Sequence, residues 1–252
     1  MAPIFFRDAA ARHARPHRLP SPPMTHALSV PDRIRRFAPV DISADLTALS
    51  DTERRALAEL VAAARLIDGL FLEQVWAGNP ALLLHLAGDR SPEGQAVLRY
   101  FLINKGPWSR LDHDEVFTPP RFDVPAKPAG ANFYPADATH EEVDGWIASL
   151  DADARMRASG FFSVIGRDES GRLASVPYSL AYRNALVPIA ARLRRAAAVT
   201  TQPTLAAFLI ARADAFLSND YYASDVAWMQ LDASIEPTIG PYETYEDGWF
   251  GY

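Results

Sequence analysis

The pattern that most constrains this chain is an apolar stripe between positions 51 and 76. Leu57, Leu60, Val61, Ala64, Ile67, Leu70, Phe71 and Val75 recur at three- and four-residue spacings, which places them on one broad face of a helix. Ser50 stands just before the run and Glu53 three residues later, the spacing of a capping box. Such a face is stable only against other elements, and the chain supplies further helices. Gly78-Asn79-Pro80 ends the first run. A short helix is expected through Leu86, and Pro92 opens another through Ile103.

Residues 104–138 read differently. Gly106-Pro107, Pro119-Pro120, Pro125, Pro128 and Pro135 break any long element, so this stretch is expected to wrap a surface or line a groove. Thr139 then caps a helix, with Glu142 three residues on, running to about Leu150. Residues 161–165 and 172–178, separated by Arg167-Asp168-Glu169-Ser170-Gly171, predict a β-hairpin. Two more helices are expected over 179–199 and 204–216. The fold class is therefore α+β, mainly helical, with a small sheet.

Composition narrows the partners. With 252 residues, 49% of them apolar and 22% charged, the chain is an ordinary globular one of one large or two small domains. A net charge of −6 argues against nucleic acid, which needs clustered Lys and Arg. The absence of cysteine excludes disulfides and thiolate metal sites. No apolar run is long enough to span a membrane. The N-terminus has positive charge without an apolar segment behind it, which is not the pattern of a secretory signal, so a cytoplasmic location is expected. Arg7, Arg12, Arg15, Arg18, Arg33, Arg35 and Arg36 crowd the start among Pro3, Pro16, Pro20, Pro22 and Pro23. Residues 1–38 are expected to form a disordered basic, Pro-rich arm, and Met24 is a second candidate start. A basic arm for nucleic acid or membrane is the functional reading of that cluster, and an untidy terminus the plain one.

Several chemistries are absent. There is no Gly-x-Ser-x-Gly elbow, phosphate loop or dinucleotide fingerprint. His140-Glu141-Glu142-Val143-Asp144 begins like a zincin helix but has Asp144 where a second histidine is needed. It reads better as an acidic first turn at the positive end of a helix dipole. His13 and His17 are separated by Pro16 and do not make a metal site either. Asp112-His113-Asp114-Glu115 could bind a hard cation or be a solvated loop. His85 reads as a core or boundary histidine, and Trp76 and Trp108 as core anchors.

The last 35 residues carry the strongest functional signal. Asn219-Asp220-Tyr221-Tyr222, Ser224-Asp225, Trp228 and the run from Ile239 to Tyr252 mix aromatic and acidic residues without a clean helical or strand period. Carboxylates beside rings suit a cleft that holds a peptide, the acid taking an ammonium and the rings packing on side chains. A tightly hydrogen-bonded domain end would look the same, and composition leaves the two equal.

The segment Gly240-Pro241-Tyr242-Glu243-Thr244-Tyr245-Glu246-Asp247 resembles the Gly-x-x-Glu-Ser/Thr-Tyr-x-Asp motif of the dipeptidyl peptidase III family. The patches at Asn219–Tyr222, Ser224, Asp225 and Trp228, and Lys127 to Pro135, resemble the bacterial and plant branch of that family, some of whose members are labelled zinc-dependent hydrolases or are fused to Nudix domains. The resemblance spans roughly residues 50–252. It implies the N-terminal lobe of a two-lobed peptidase, with a small sheet or partial barrel, over 39–252. It implies a substrate-side role for Gly240, Tyr242 and Thr244, capture of the substrate's free ammonium by Glu243, and support of the oxyanion by the catalytic Tyr245. Zinc is implied for the complete protein, held by a His-Glu-x-x-x-His motif and a later Glu on the other lobe. This chain contains neither, so no metal ligand and no cofactor is expected in it. It is expected to be inactive alone, with a peptide substrate and the missing C-terminal lobe as partners. The alternative is a stand-alone peptide-binding or structural module.

Overall fold

The computed structural model describes residues 28–242 and 246–251. In chain order, a short α1 (Val30–Ile34) precedes the long α2 (Asp51–Val75), followed by α3 (Asn79–Gly88) and α4 (Pro92–Asn104). A two-residue hairpin, β1 (Trp108–Ser109) with β2 (Glu115–Val116), comes next. Then follow α5 (His140–Ser149), α6 (Ala152–Ala158), β3 (Ser163–Arg167), β4 (Leu173–Pro177), α7 (Tyr178–Ala181), α8 (Arg183–Val199), α9 (Pro203–Ser218) and α10 (Tyr222–Met229). Among the described residues the strands pair only as two separate antiparallel hairpins. The mainly helical α+β class read from the pattern is the class observed.

The apolar stripe of α2 has one deep edge and one open edge. Leu60 and Ala63 are buried against Ile189, Leu193 and Ala196 of α8, and α8 packs in turn on Leu205, Phe208 and Leu209 of α9. Each large side chain so buried contributes roughly 2 kcal/mol of transfer free energy. Leu72 joins Leu82, Leu86, Val97 and Phe101 of α3 and α4 in a second cluster. Val61, on the open edge, remains substantially exposed.

The caps explain the helix starts. The Ser50 hydroxyl accepts from the Glu53 N–H at 3.2 Å, and the Thr139 hydroxyl from the Glu142 N–H at 3.1 Å. The first capping box is completed on one side only. The Glu53 carboxylate turns into the protein, 2% exposed, and accepts from the Thr200 hydroxyl at 2.7 Å and the Thr201 N–H at 2.9 Å. It ties the start of α2 to the α8–α9 connection. Burial pushes its carboxyl up, and these bonds outweigh that, leaving it lowered overall.

Several expectations change. The helix expected over 179–199 breaks at Tyr182, because Tyr178 and Tyr182 both turn their rings into the core, 5.0 Å apart. The break lets α7 rest on the β3–β4 hairpin while α8 runs along α2. The stretch 104–138 contains the β1–β2 hairpin, and Trp108 is buried there, its indole donating to the Pro125 carbonyl at 2.9 Å. Of the expected disordered arm, residues 1–27 lie outside the described residues, and the remainder contains α1. The Arg33 guanidinium is buried and donates to Asp112 at 2.6 Å and Glu115 at 2.8 Å, while Arg36 donates to Asp112 at 2.6 Å. The acidic cluster considered for a metal cation therefore holds guanidinium groups. His85 lies on the exposed side of α3, near Phe122, rather than in the core.

Candidate functional site

A groove of about 990 Å³ runs along the open edge of α2. Leu57, Val61 and Ala64 line one side, Tyr178, Tyr182 and Tyr221 the floor, and the extended segment 235–242 the other side. The lining is mostly apolar, with Asp68 and Glu236 at its edges, Asp68 being paired with Lys105 at 2.7 Å.

The floor hydroxyls are held neutral. Burial, with Asp247 nearby, pushes the Tyr178 phenol up to about 12. Burial pushes Tyr182 and Tyr221 up further, Arg212 partly opposing it at Tyr221. At neutral pH these are hydrogen-bond donors and acceptors, not bases. The buried Tyr182 hydroxyl makes no hydrogen bond of ordinary geometry among the described residues, and the Gln74 side chain beside it gives only a weak hydrogen-bonding contact that partly opposes the rise.

The segment that forms the groove's far side is tied down from beneath. The Arg212 guanidinium, 1% exposed on the buried face of α9, donates from Nη2 to the Tyr242 hydroxyl and to Asp225, both at 2.6 Å. It packs on the rings of Phe208, Tyr221 and Tyr242 at 5.5, 5.5 and 5.3 Å. Gly240, at φ +152°, passes so close over Arg212 that a Cβ would stand 2.8 Å from its Nη1. Only glycine fits this path.

A second tie follows. Glu246 accepts from Arg110 at 2.6 Å and pairs with Lys127 at 3.2 Å. Asp247 accepts from the Tyr134 hydroxyl at 2.7 Å and from the Trp249 N–H at 2.9 Å. The Gly248 N–H donates to the Ala129 carbonyl at 2.6 Å. The Trp249 ring lies 4.6 Å from that of Tyr134.

The sequence patches singled out above thus meet in space. The Lys127 to Pro135 run lies under the end of the chain through Lys127, Ala129 and Tyr134. Asn219, at φ 68°, ends α9 and accepts from the Ser179 N–H, joining α9 to α7. Of the anticipated site residues, Gly240 and Tyr242 stand on the groove. Glu243, Thr244 and Tyr245 lie outside the described residues. Arg212 is not among the residues the motifs point to; its signal in the sequence is a lone arginine in the apolar spacing Leu205, Phe208, Leu209, Arg212, Ala213, Phe216.

The zincin-like run at 140–144 does not form a zinc site among the described residues. His140 stacks on Phe250 at 4.7 Å and Glu142 accepts from Arg167 at 3.0 Å. Among the described residues no three His, Asp or Glu side chains are grouped to hold a metal, and no helix is long and apolar enough to cross a membrane.

No family model matches the chain. Two solved structures are similar to it. Dipeptidyl-peptidase III from Corallococcus sp. strain EGB is 53% identical with a TM-score of 0.86, the match covering 90% of this chain and 42% of that one. DPP III from Caldithrix abyssi is 40% identical with a TM-score of 0.81, over 87% of this chain and 41% of that one. Nudix hydrolase 3 of Arabidopsis thaliana is 38% identical over 272 aligned residues, 90% of this chain and 35% of that protein. The chain spans less than half the length of the proteins it matches.

Proposed function

We propose, on the premise that this chain is related over nine-tenths of its length to dipeptidyl-peptidase III, that it forms the peptide-holding half of a dipeptidyl peptidase III-like hydrolase. In the complete protein the reaction is removal of dipeptides from peptide N-termini, with zinc supplied by residues outside this chain. The observation that carries the reading is the groove. Its far side, 235–242, runs directly in sequence into Glu243, Thr244 and Tyr245. An apolar trough whose wall continues in sequence into a carboxylate residue suits a peptide that enters with a free amino terminus.

In this reading Glu243 takes the substrate ammonium through a charge-assisted hydrogen bond. Tyr245 donates its hydroxyl to the carbonyl oxygen as negative charge develops there, a role of about 3 kcal/mol in the transition state where such donors have been removed. Tyr242 and Gly240 shape the approach. The 252-residue chain binds peptide and does not hydrolyse it. The Nudix name belongs to a plant protein of which the match covers 35%, and it does not by itself describe the shared part.

The test is a calorimetric titration of the chain with a short peptide, free and N-acetylated. Glu243→Ala should weaken the free peptide by about 2 kcal/mol, roughly thirtyfold in Kd, and leave the acetylated one nearly unchanged. Equal losses for both peptides would remove Glu243 from the amine site. A chain that binds neither peptide would favour a structural module instead.

A further inference from the structure

We propose that Arg212 is a positioning residue for the groove. Acting through Tyr242 and Gly240, it sets the path of the segment that leads into Glu243, Thr244 and Tyr245, and so sets how a peptide amino terminus is received. The proposal rests on the peptide-holding reading above.

A buried guanidinium is costly, and stability alone is a weak reason for one, since an apolar side chain of similar volume packs as well without desolvating a charge. Arg212 is 1% exposed within an otherwise apolar stripe of α9. Its Nε is buried with no hydrogen-bond partner among the described residues. Its acidic partner Asp225 is half exposed, which limits what that pair contributes. What the arginine supplies is reach and shape. From one nitrogen it holds both Asp225 on α10 and the Tyr242 hydroxyl, and Gly240 passes so close that a Cβ there would stand 2.8 Å from its Nη1. Among the described residues no other side chain ties the groove's far side to the helical core through a charge. At the other end of the motif, Asp247 and Gly248 are fixed to Tyr134 and Ala129. In sequence, the three motif residues sit between these two ties.

The test uses the 252-residue chain with Arg212→Met, Arg212→Lys and Tyr242→Phe. Amide exchange followed by mass spectrometry reads the segment 235–242 against α8. Titration with Ala-Leu-Ala-Leu, free and N-acetylated, reads reception of the amine. Arg212→Met is expected to speed exchange over 235–242 about tenfold or more while α8 is unchanged. It should also collapse the preference for the free over the acetylated peptide. Arg212→Lys should keep part of that preference, since it retains the charge but not the planar fork. Arg212→Met added to Tyr242→Phe should cost little more than either alone.

Unchanged exchange in Arg212→Met overturns the proposal. Faster exchange with the peptide preference intact also overturns it, because the residue would then be merely structural. If α8 also exchanges faster, the chain has lost its fold, and Tyr242→Phe, which keeps the arginine in place, carries the same two readings. If the unaltered chain does not distinguish the peptides, the peptide-holding reading fails by itself. Exchange and the non-additivity with Tyr242→Phe then decide whether Arg212 sets the segment.

Discussion

The two sides of the groove are built in opposite ways. One is the face of α2, held by apolar side chains of α8, which packs in turn on α9, many with no exposure at all. The other is the segment 235–242, which has no regular secondary structure and is anchored through Arg212, Tyr242 and the ties at Glu246 and Asp247. Apolar packing is non-directional and spreads over many contacts, so losing one contact leaves the rest. A charge-assisted hydrogen bond is directional and few in number, so it fixes a path rather than a bulk position. A wall that needs only to be rigid can be a helix. A wall that must aim particular side chains at a ligand is better drawn by a few directed bonds.

That contrast can be broken by mutation, beginning with the largest effect. Leu193→Ala, at a site with 0% exposure on α8, should destabilise the whole fold by about 3 kcal/mol, read as a shift of the urea midpoint. An effect under about 1 kcal/mol would mean that the core is not the rigid partner. Asp225→Asn removes the carboxylate from Arg212 and should cost about 2 kcal/mol, less than for a fully buried pair because Asp225 is half exposed. Its loss should appear first in amide exchange over 235–242, ahead of global unfolding. Tyr134→Phe deletes the hydroxyl that reaches Asp247 and should cost about 1 kcal/mol. Near-ultraviolet circular dichroism from Trp249, which packs on that ring, should change while the far-ultraviolet helical signal stays.

The same division explains what could be read from the chain without its structure. The helices from positions 51, 79, 92, 140 and 203 and the hairpin at Ser163–Pro177 follow from local signals: apolar period, Ser and Thr caps, and a turn whose Gly171 takes φ 80°. The polar ties do not. Arg33 and Asp112 are 79 residues apart, Glu53 and Thr200 147, and Arg212 and Tyr242 30, and no local period encodes such pairings. Glu53 has the spacing of a capping residue, and a long-range partner, Thr200, takes its carboxylate instead. The aromatic and acidic end of the chain left a cleft and a packed terminus equally open. It contains both: Gly240 and Tyr242 border the groove, while Glu246 and Asp247 are buried in the packing.

The smallest effect tests whether regions held by charge fail before regions held by packing. The Asp112 carboxylate accepts from Ser109 and Arg36 and pairs with Arg33, and the Ser109 bond is the main cause that lowers it from an ordinary 3.8 to about 2. Glu115 faces the same Arg33. A carboxylate lowered on folding adds stability that is complete above its unfolded value and is lost as pH falls through its folded one. Between pH 4 and 2 the segment 28–37 should therefore loosen from the β1–β2 hairpin. Amide exchange in α2 and α8 should stay slow over the same range. Asp112→Asn should loosen that segment already at pH 7 and flatten its dependence on acid. If α8 loosens together with the segment in the unaltered chain, charge and packing are one cooperative unit, and the two sides of the groove differ in composition but not in how they hold.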